Sequence, residues 1–140
     1  MHFKNRTYKF MKSYSQSKLC NVLFTNELAR LLDQKGIKNV TVNSLHPGAV
    51  KTEIVKNSGI LWMEIIAIIS KFVYKSAKLG AQTTNPFGCF GRRREKSQEE
   101  YFVDCKIAPT SDLAKNENLA RKVWQISEKE VGLTEKEKYF

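Results

Sequence analysis

The feature that most constrains the fold is a long stretch with the apolar spacing of an α-helix. It ends at a glycine and is followed by a predicted strand. Apolar side chains recur at helical spacing across residues 13–34, namely Cys20, Leu23, Phe24, Leu28, Leu31 and Leu32. Gly36 then stands where a glycine commonly terminates a helix. Residues 39–45 alternate in polarity and are rich in β-formers, and a His-Pro-Gly turn begins at residue 46. Helix, short loop and strand make half of a βαβ unit, so we expect an α/β fold with a parallel sheet.

The most apolar stretch of the chain is residues 60–73. Its 14 residues fall short of the roughly 20 that a membrane-spanning helix needs. We expect a buried helix or a helix that covers a cleft. The alternative is a helix on a membrane surface, with Trp62 at one end and Lys71, Lys75 and Lys78 at the other.

The C-terminal third predicts a loop, an extended segment and a last helix. Pro86 and two glycines make helix improbable within residues 85–100, so we interpret that segment as a loop. Residues 101–108 predict a short strand or an extended segment. Ser111 or Asp112 can cap the last helix. The residues predicted to share its inner face are Leu113, Ala120, Val123, Trp124, Ser127 and Val131.

Composition and charge exclude several classes of protein. Eight Phe, five Tyr and two Trp argue against a disordered chain, and three cysteines cannot build a disulfide scaffold. With His2 and His46 as the only histidines and no Cys-x-x-Cys, we expect no metal site. The net charge is +10, but no nucleic-acid-binding motif accompanies it, so we expect no nucleic-acid partner. Residues 1–18 are basic without an apolar core, which is not the pattern of a secretory signal.

Tyr14 and Lys18 are the residues whose spacing suggests chemistry. At positions i and i+4 of the predicted helix they lie on one face, one turn apart. A free phenol titrates at about 10, too high for efficient proton transfer at neutral pH. A nearby ammonium group favours the phenolate form and makes such transfer easier. The spacing alone is common on surface helices and does not establish a catalytic pair.

Around this pair the chain resembles the short-chain dehydrogenase/reductase family, whose active-site motif is Tyr-x-x-x-Lys. The helix YSQSKLCNVLFTNELARLL and the strand and turn VTVNSLHPGAVKTE are similar to the retinol dehydrogenase branch of that family. The segments LGAQT, YFVDCK and LARKVWQIS follow in the same order. The resemblance implies the C-terminal half of a Rossmann-like doubly wound parallel sheet, with residues 1–140 forming an incomplete domain.

The resemblance also implies roles for individual residues. Tyr14 would exchange a proton with the substrate oxygen, and Lys18 would favour its phenolate and hydrogen-bond the nicotinamide ribose. The cofactor would be NADP or NAD, with NADP the favoured of the two. Its remaining contacts would come from Pro47 and Gly48 beside the nicotinamide, from backbone at Val50 to the carboxamide, and from Thr52 near the pyrophosphate.

The resemblance implies hydride transfer between nicotinamide and a retinoid or lipid aldehyde or alcohol. Residues 60–73 would cover this small apolar substrate, with membrane-surface contact through the same segment and a homodimer as further expectations. The implied location is intracellular, in the cytoplasm or on an endoplasmic reticulum or mitochondrial membrane. The rival interpretation is a non-enzymatic remnant or interaction module that pairs through an exposed sheet edge.

The sequence departs from the family in two places. It contains neither a glycine-rich phosphate loop nor the family's Asn-Asn-Ala-Gly segment, and its only serine before Tyr14 is the adjacent Ser13. We therefore expect the isolated chain to be inactive. Residues 85–100 replace an expected amphipathic helix. A compensated frameshift, which we favour, a natural insertion or altered splicing would each produce that replacement.

Overall fold

The computed structural model describes residues 7–50, 75–84 and 100–138. In chain order the elements are α1 (Phe10–Gln34), β1 (Ser44–His46), α2 (Ala77–Gly80) with a 3-10 turn at Ala81–Thr84, β2 (Tyr101–Val103), β3 (Lys106–Ile107), a 3-10 turn at Asp112–Lys115 and α3 (Glu117–Val131). The chain divides into two compact units. The described part of the first comprises residues 7–44, 100–101 and 109–138, and that of the second comprises residues 45–50, 75–84 and 102–108.

Helix α1 begins at Phe10 and not, as the sequence predicted, at residue 13. Ser13 does not cap it, because its hydroxyl donates to the Lys9 carbonyl (3.0 Å) inside the first turn. The Phe10 ring stacks on Tyr14 one turn later, with 6.5 Å between centroids. Such an i, i+4 aromatic contact stabilises an extra turn at the N-terminus of a helix.

The predicted end of α1 is confirmed at Gly36. This glycine has φ +69°, a left-handed value that favours residues without a Cβ. Its amide donates to the Asp33 carbonyl (2.9 Å), and the Ile37 amide donates to the Leu32 carbonyl (3.0 Å). These two bonds form a Schellman motif, which satisfies carbonyl groups that the helix end would otherwise leave unpaired.

The core of the first unit lies between α1 and α3. Leu23 is 2% exposed and forms a cluster with Ala120 and Val123. Beside this cluster the rings of Phe24 and Trp124 stack with centroids 4.8 Å apart. The helical period of α1 placed Leu23 and Leu32 correctly in the interior, but Phe24 is exposed, and Glu27 and Ala29 are buried although they lie outside the predicted apolar stripe.

The last helix differs from its prediction. Ser111 and Asp112 begin only a 3-10 turn, and α3 starts separately at Glu117. The reason is Asn116, whose extended backbone interrupts the helix while its side chain accepts a hydrogen bond from the Leu119 amide (3.1 Å). Of the predicted inner face, Ala120 and Val123 are buried, but Leu113 and Val131 are exposed, so the face is shorter than predicted.

Strands β1, β2 and β3 form one small sheet in that order. The Ser44 amide donates to the Glu100 carbonyl (3.0 Å), and the Asp104 amide donates to the His46 carbonyl (3.4 Å). These pairs advance in the same direction along both segments, which makes β1 and β2 parallel. Strands β2 and β3 are antiparallel. The predicted α/β class with a parallel sheet is confirmed, and β3 adds an antiparallel edge to it.

The strand boundaries differ from the sequence predictions. The strand expected at residues 39–45 covers only Ser44–His46, and Val40 is exposed. Alternation alone does not make a ladder, and within the described residues the ladder toward β2 begins at Ser44, whose amide donates to the Glu100 carbonyl. Residues 101–108 form a two-stranded hairpin and not a single extended segment, because Asp104 and Cys105 both take positive φ values and reverse the chain.

The two described cysteines, Cys20 and Cys105, differ in oxidation state. Cys20, on α1, is a reduced thiol, and burial raises its pKa. Cys105, in the turn between β2 and β3, is disulfide-bonded. The sequence analysis excluded a disulfide scaffold but did not predict this single disulfide.

Candidate functional site

The Tyr14 and Lys18 side chains lie together on the exposed face of α1. The Lys18 ammonium nitrogen is 5.3 Å from the centroid of the Tyr14 ring, within the range of a cation–π contact. Tyr14 itself is 48% exposed. The neighbouring placement that the i, i+4 spacing predicted is confirmed. The helix thus presents a phenol and a cation side by side at a surface that a ligand can reach.

The backbone around this pair is held by the helix itself. The Ser17 hydroxyl donates to the Tyr14 carbonyl (2.7 Å), a bond that keeps a short polar side chain on the helix surface. The buried cluster formed by Leu23, Ala120 and Val123 lies further along the same helix and anchors α1 to α3. The position of Tyr14 and Lys18 therefore depends on a regular helix whose opposite face is packed.

The second group of predicted residues lies where β1 ends. We call residues 47–50 (Pro47, Gly48, Ala49 and Val50) the 47–50 loop. Gly48 has φ +82°, and its amide donates to Nδ1 of His46 (2.9 Å). A Cβ at Gly48 would lie 2.6 Å from Oδ1 of Asp104. The backbone conformation therefore favours glycine at this position, and a side chain there would also displace the Asp104 carboxylate.

Val50, at the end of the loop, packs against α2. It forms a parallel bridge with Lys75, and the Lys75 amide donates to the Ala49 carbonyl (2.9 Å). A Cβ at Gly80 would come within 2.5 Å of a Val50 methyl group. Among the described residues, no hydrogen bond uses the Val50 amide. The loop is thus held on both sides while one backbone donor stays available.

Lys75 and Asp104 are charged residues that the sequence reasoning did not place in the site. Their side chains form an ion pair, which we call the Lys75–Asp104 pair, directly beside Gly48. The sequence separates them by 29 positions, so no local spacing could have joined them. The one sequence feature that could have indicated Asp104 is its place in the family-like segment YFVDCK.

The predicted site residues are divided between the two units. Tyr14 and Lys18 belong to the first unit, and Pro47, Gly48 and Val50 belong to the second. Thr52, the apolar residues 60–73 and residues 85–99 lie outside the described residues, so the expectations placed on them stay predictions. The roles assigned to the described site residues also stay predictions.

Residues 7–50, 75–84 and 100–138 bring together no group of three or more His, Cys, Asp or Glu side chains able to hold a metal ion. No helix within the same ranges combines the length and the apolar character that crossing a membrane requires.

The amino-acid sequence is similar to those of known short-chain dehydrogenases. It is 37% identical over 123 residues to the chloroplastic short-chain dehydrogenase TIC 32 A of Brassica napus. The aligned residues make up 86% of this chain and 37% of the relative. It is 40% identical over 130 residues to mouse retinol dehydrogenase 14, covering 91% of the chain and 38% of the relative. Human retinol dehydrogenase 12 is 40% identical over 116 residues, covering 82% and 34%.

No protein-family model matches the chain. Identities of 37% to 40% over most of its residues nevertheless establish common descent with these enzymes. The order of the motifs YSQSK, HPG and YFVDCK in one α/β chain agrees with that relationship. By descent the chain is therefore related to the short-chain dehydrogenase family, retinol dehydrogenases included, and it spans 34% to 38% of the length of the relatives compared above.

Proposed function

We propose that this chain supplies the acid–base pair and part of the nicotinamide site of an NAD(P)-dependent oxidoreductase of the retinol dehydrogenase type. The observation that carries the proposal is the Lys18 ammonium group 5.3 Å from the exposed Tyr14 ring. A phenol beside a cation on an accessible helix face can hold and release a proton. Similarity to short-chain dehydrogenases supports this use of the pair.

Tyr14 would act through its phenolic oxygen. In the reducing direction the hydroxyl donates its proton to the substrate carbonyl oxygen, and in the oxidising direction the phenolate accepts the proton of the alcohol. Lys18 would hold its positive charge beside the ring that carries this oxygen, with its ammonium nitrogen 5.3 Å from the ring centroid. Both roles need the two side chains on the same helix face, where they lie.

The 47–50 loop fits the nicotinamide end of a dinucleotide. When bound, the nicotinamide supplies or accepts the hydride. Gly48 presents backbone without a side chain, and the available Val50 amide can donate to a carboxamide oxygen. Lys18 has three N–H donors, which suit ribose hydroxyl groups. Pro47 would contact the ring beside this backbone, and Thr52, outside the described residues, would bind nearer the pyrophosphate.

The proposed substrate is a retinoid or another lipid aldehyde or alcohol. Its support is the similarity to proteins named retinol dehydrogenases in mouse and human. Residues 60–73 would exclude water from such a substrate. Their role as an apolar cover rests on sequence alone, because they lie outside the described residues. The cofactor is proposed as NADP or NAD.

The first test is dinucleotide binding by the purified 140-residue chain, measured by isothermal titration with NADPH and NADH. Lys18→Met should weaken binding because it removes donors to the ribose. Lys12→Met is the matched control, since Lys12 is another exposed lysine of α1, and it should leave binding unchanged. A folded chain that binds neither dinucleotide would refute the proposed function and favour the interaction module.

The second test is reduction of retinaldehyde with NADPH by a full-length protein in which the missing phosphate-binding half is restored, because we expect the isolated chain to be inactive. Tyr14→Phe should abolish any turnover while leaving dinucleotide affinity as in the wild type, because it removes only the hydroxyl that transfers the proton. Turnover that survives in Tyr14→Phe would show that another group is the acid, even if the chain binds NADPH.

A further inference from the structure

We propose that Lys75 and Asp104 are positioning residues that hold the 47–50 loop in the conformation that nicotinamide binding requires. This inference rests on the function proposed above. Neither residue would touch the cofactor in our account. They act through Gly48 and Ala49, the two residues of the loop that they contact most directly.

The Lys75–Asp104 pair encloses Gly48 from the side where a side chain would be. A Cβ built on Gly48 would lie 2.6 Å from Oδ1 of Asp104 and 3.2 Å from Nζ of Lys75. Both charged atoms therefore occupy the space next to the glycine α-carbon. The loop cannot move toward the pair without displacing it, so the pair limits the positions that Gly48 can take.

Backbone hydrogen bonds tie the same two residues to either side of Gly48. The Lys75 amide donates to the Ala49 carbonyl (2.9 Å), just after the glycine, and the Asp104 amide donates to the His46 carbonyl (3.4 Å), two residues before it. The ion pair links Lys75 to Asp104, so that together with the two backbone hydrogen bonds it forms a ring of interactions around the loop. Such a ring fixes the loop more tightly than either backbone bond alone, because both must break together before the loop shifts.

The turn that carries Asp104 is itself unusual. Asp104 has φ +49° and Cys105 has φ +66°, the left-handed values of a two-residue turn that asparagine and glycine normally fill. The flanking pair Val103 and Lys106 stays in register. Left-handed non-glycine residues are uncommon and cost free energy, and they tend to persist where geometry serves a function. Here the geometry directs a carboxylate at the loop.

The solvent exposure of the Lys75–Asp104 pair indicates that it positions the loop and does not contribute much to global stability. The side chains of Lys75 and Asp104 are 36% and 46% exposed, and ion pairs of that exposure stabilise proteins little. Removing the pair should therefore leave global stability almost unchanged. Its consequence should appear in the loop and in what the loop binds, which separates a positioning role from a purely structural one.

The test compares Asp104→Asn and Lys75→Met with the charge-swapped double variant K75D/D104K. Backbone amide shifts and hydrogen exchange of residues 48–50 report the loop, and titration calorimetry with NADPH reports binding. Asp33→Asn is the matched control, because it removes another exposed ion pair, with Lys38, in the other unit. Urea unfolding checks that each variant keeps its stability.

We expect both single variants to shift the amides of residues 48–50, to speed their exchange and to weaken NADPH binding about threefold, which is within what an exposed ion pair can contribute. The swap should restore all three, and the Asp33 control should change none. Amide shifts and exchange that stay at wild-type values in both single variants would overturn the inference. So would wild-type NADPH affinity in both. If the wild-type chain binds no dinucleotide, the proposed function fails, and the amide measurements alone decide whether the pair holds the loop.

Discussion

Replacing Gly80 by alanine tests how closely α2 packs on the 47–50 loop. The added Cβ would lie 2.5 Å from one Val50 methyl carbon, 3.0 Å from the other and 3.3 Å from the Val50 Cβ. Carbon atoms in good contact are about 3.5–4.0 Å apart. Rotation of the valine can move its two methyl carbons but leaves its Cβ at 3.3 Å, so it does not relieve the contact completely. The loop and α2 must therefore separate.

The expected cost follows from two opposing terms. Overpacking of this kind destabilises by about 1–3 kcal/mol. Alanine gains about 1 kcal/mol over glycine in a helix interior, although α2 has only four residues and realises less of that gain. We expect Gly80→Ala to lower the free energy of unfolding by about 1–2 kcal/mol.

A double-mutant cycle with Val50→Ala isolates the clash. The alanine propensity gain at position 80 is present in both backgrounds and cancels, so the coupling energy should be about 1–3 kcal/mol, with the double variant more stable than the sum of the singles predicts. Urea unfolding, followed by circular dichroism and by the amide of residue 80, measures it. A coupling energy below about 0.5 kcal/mol would show that α2 and the loop do not pack as described.

Three further predictions concern the first unit. Leu23→Ala should lower the free energy of unfolding by about 2–5 kcal/mol, because Leu23 is 2% exposed in the α1–α3 cluster, whereas Met11→Ala, 64% exposed, should change it by less than about 0.5 kcal/mol; equal urea midpoints would contradict this packing. Because burial raises the pKa of Cys20, its alkylation by iodoacetamide near pH 8 should be slower than that of glutathione, as mass spectrometry of its peptide can measure; an equal rate would contradict it. Hydrogen bonds from the Thr134 hydroxyl and amide lower the pKa of Glu137, so their contribution to the C-terminal turn is present above the ordinary pKa of glutamate and is lost as the pH falls through the lowered value. Thr134→Ala should raise the pKa of Glu137 in an NMR titration, and an unchanged titration would exclude the hydroxyl bond as a cause.

The parts of the fold that sequence predicted well depend on local geometry. The helical period placed Leu23 in the core, Gly36 at the end of α1, and Tyr14 beside Lys18. Each of these follows from residues at most a few turns apart in one helix. A long periodic helix carries that information in its own sequence.

The parts that sequence missed depend on partners far along the chain. Strand β1 is shorter than its alternating pattern because a ladder needs a neighbour, and that neighbour, β2, begins at residue 101. The Lys75–Asp104 pair joins residues 29 positions apart. Asn116 interrupts the last helix because its own side chain offers a competing cap. None of these outcomes is encoded by a spacing within one element.

The two groups of proposed site residues are held in place by different interactions. Variants of the two groups therefore test the proposed function separately. Tyr14 and Lys18 are placed by a helix whose stability comes from the α1–α3 cluster in the first unit. The 47–50 loop is placed by Lys75, Gly80 and Asp104 in the second. Variants that disturb the loop should therefore change dinucleotide affinity without altering α1, whereas Tyr14→Phe should abolish turnover without altering affinity. If the two groups do serve one reaction, both kinds of variant must lower the same rate, for separable physical reasons.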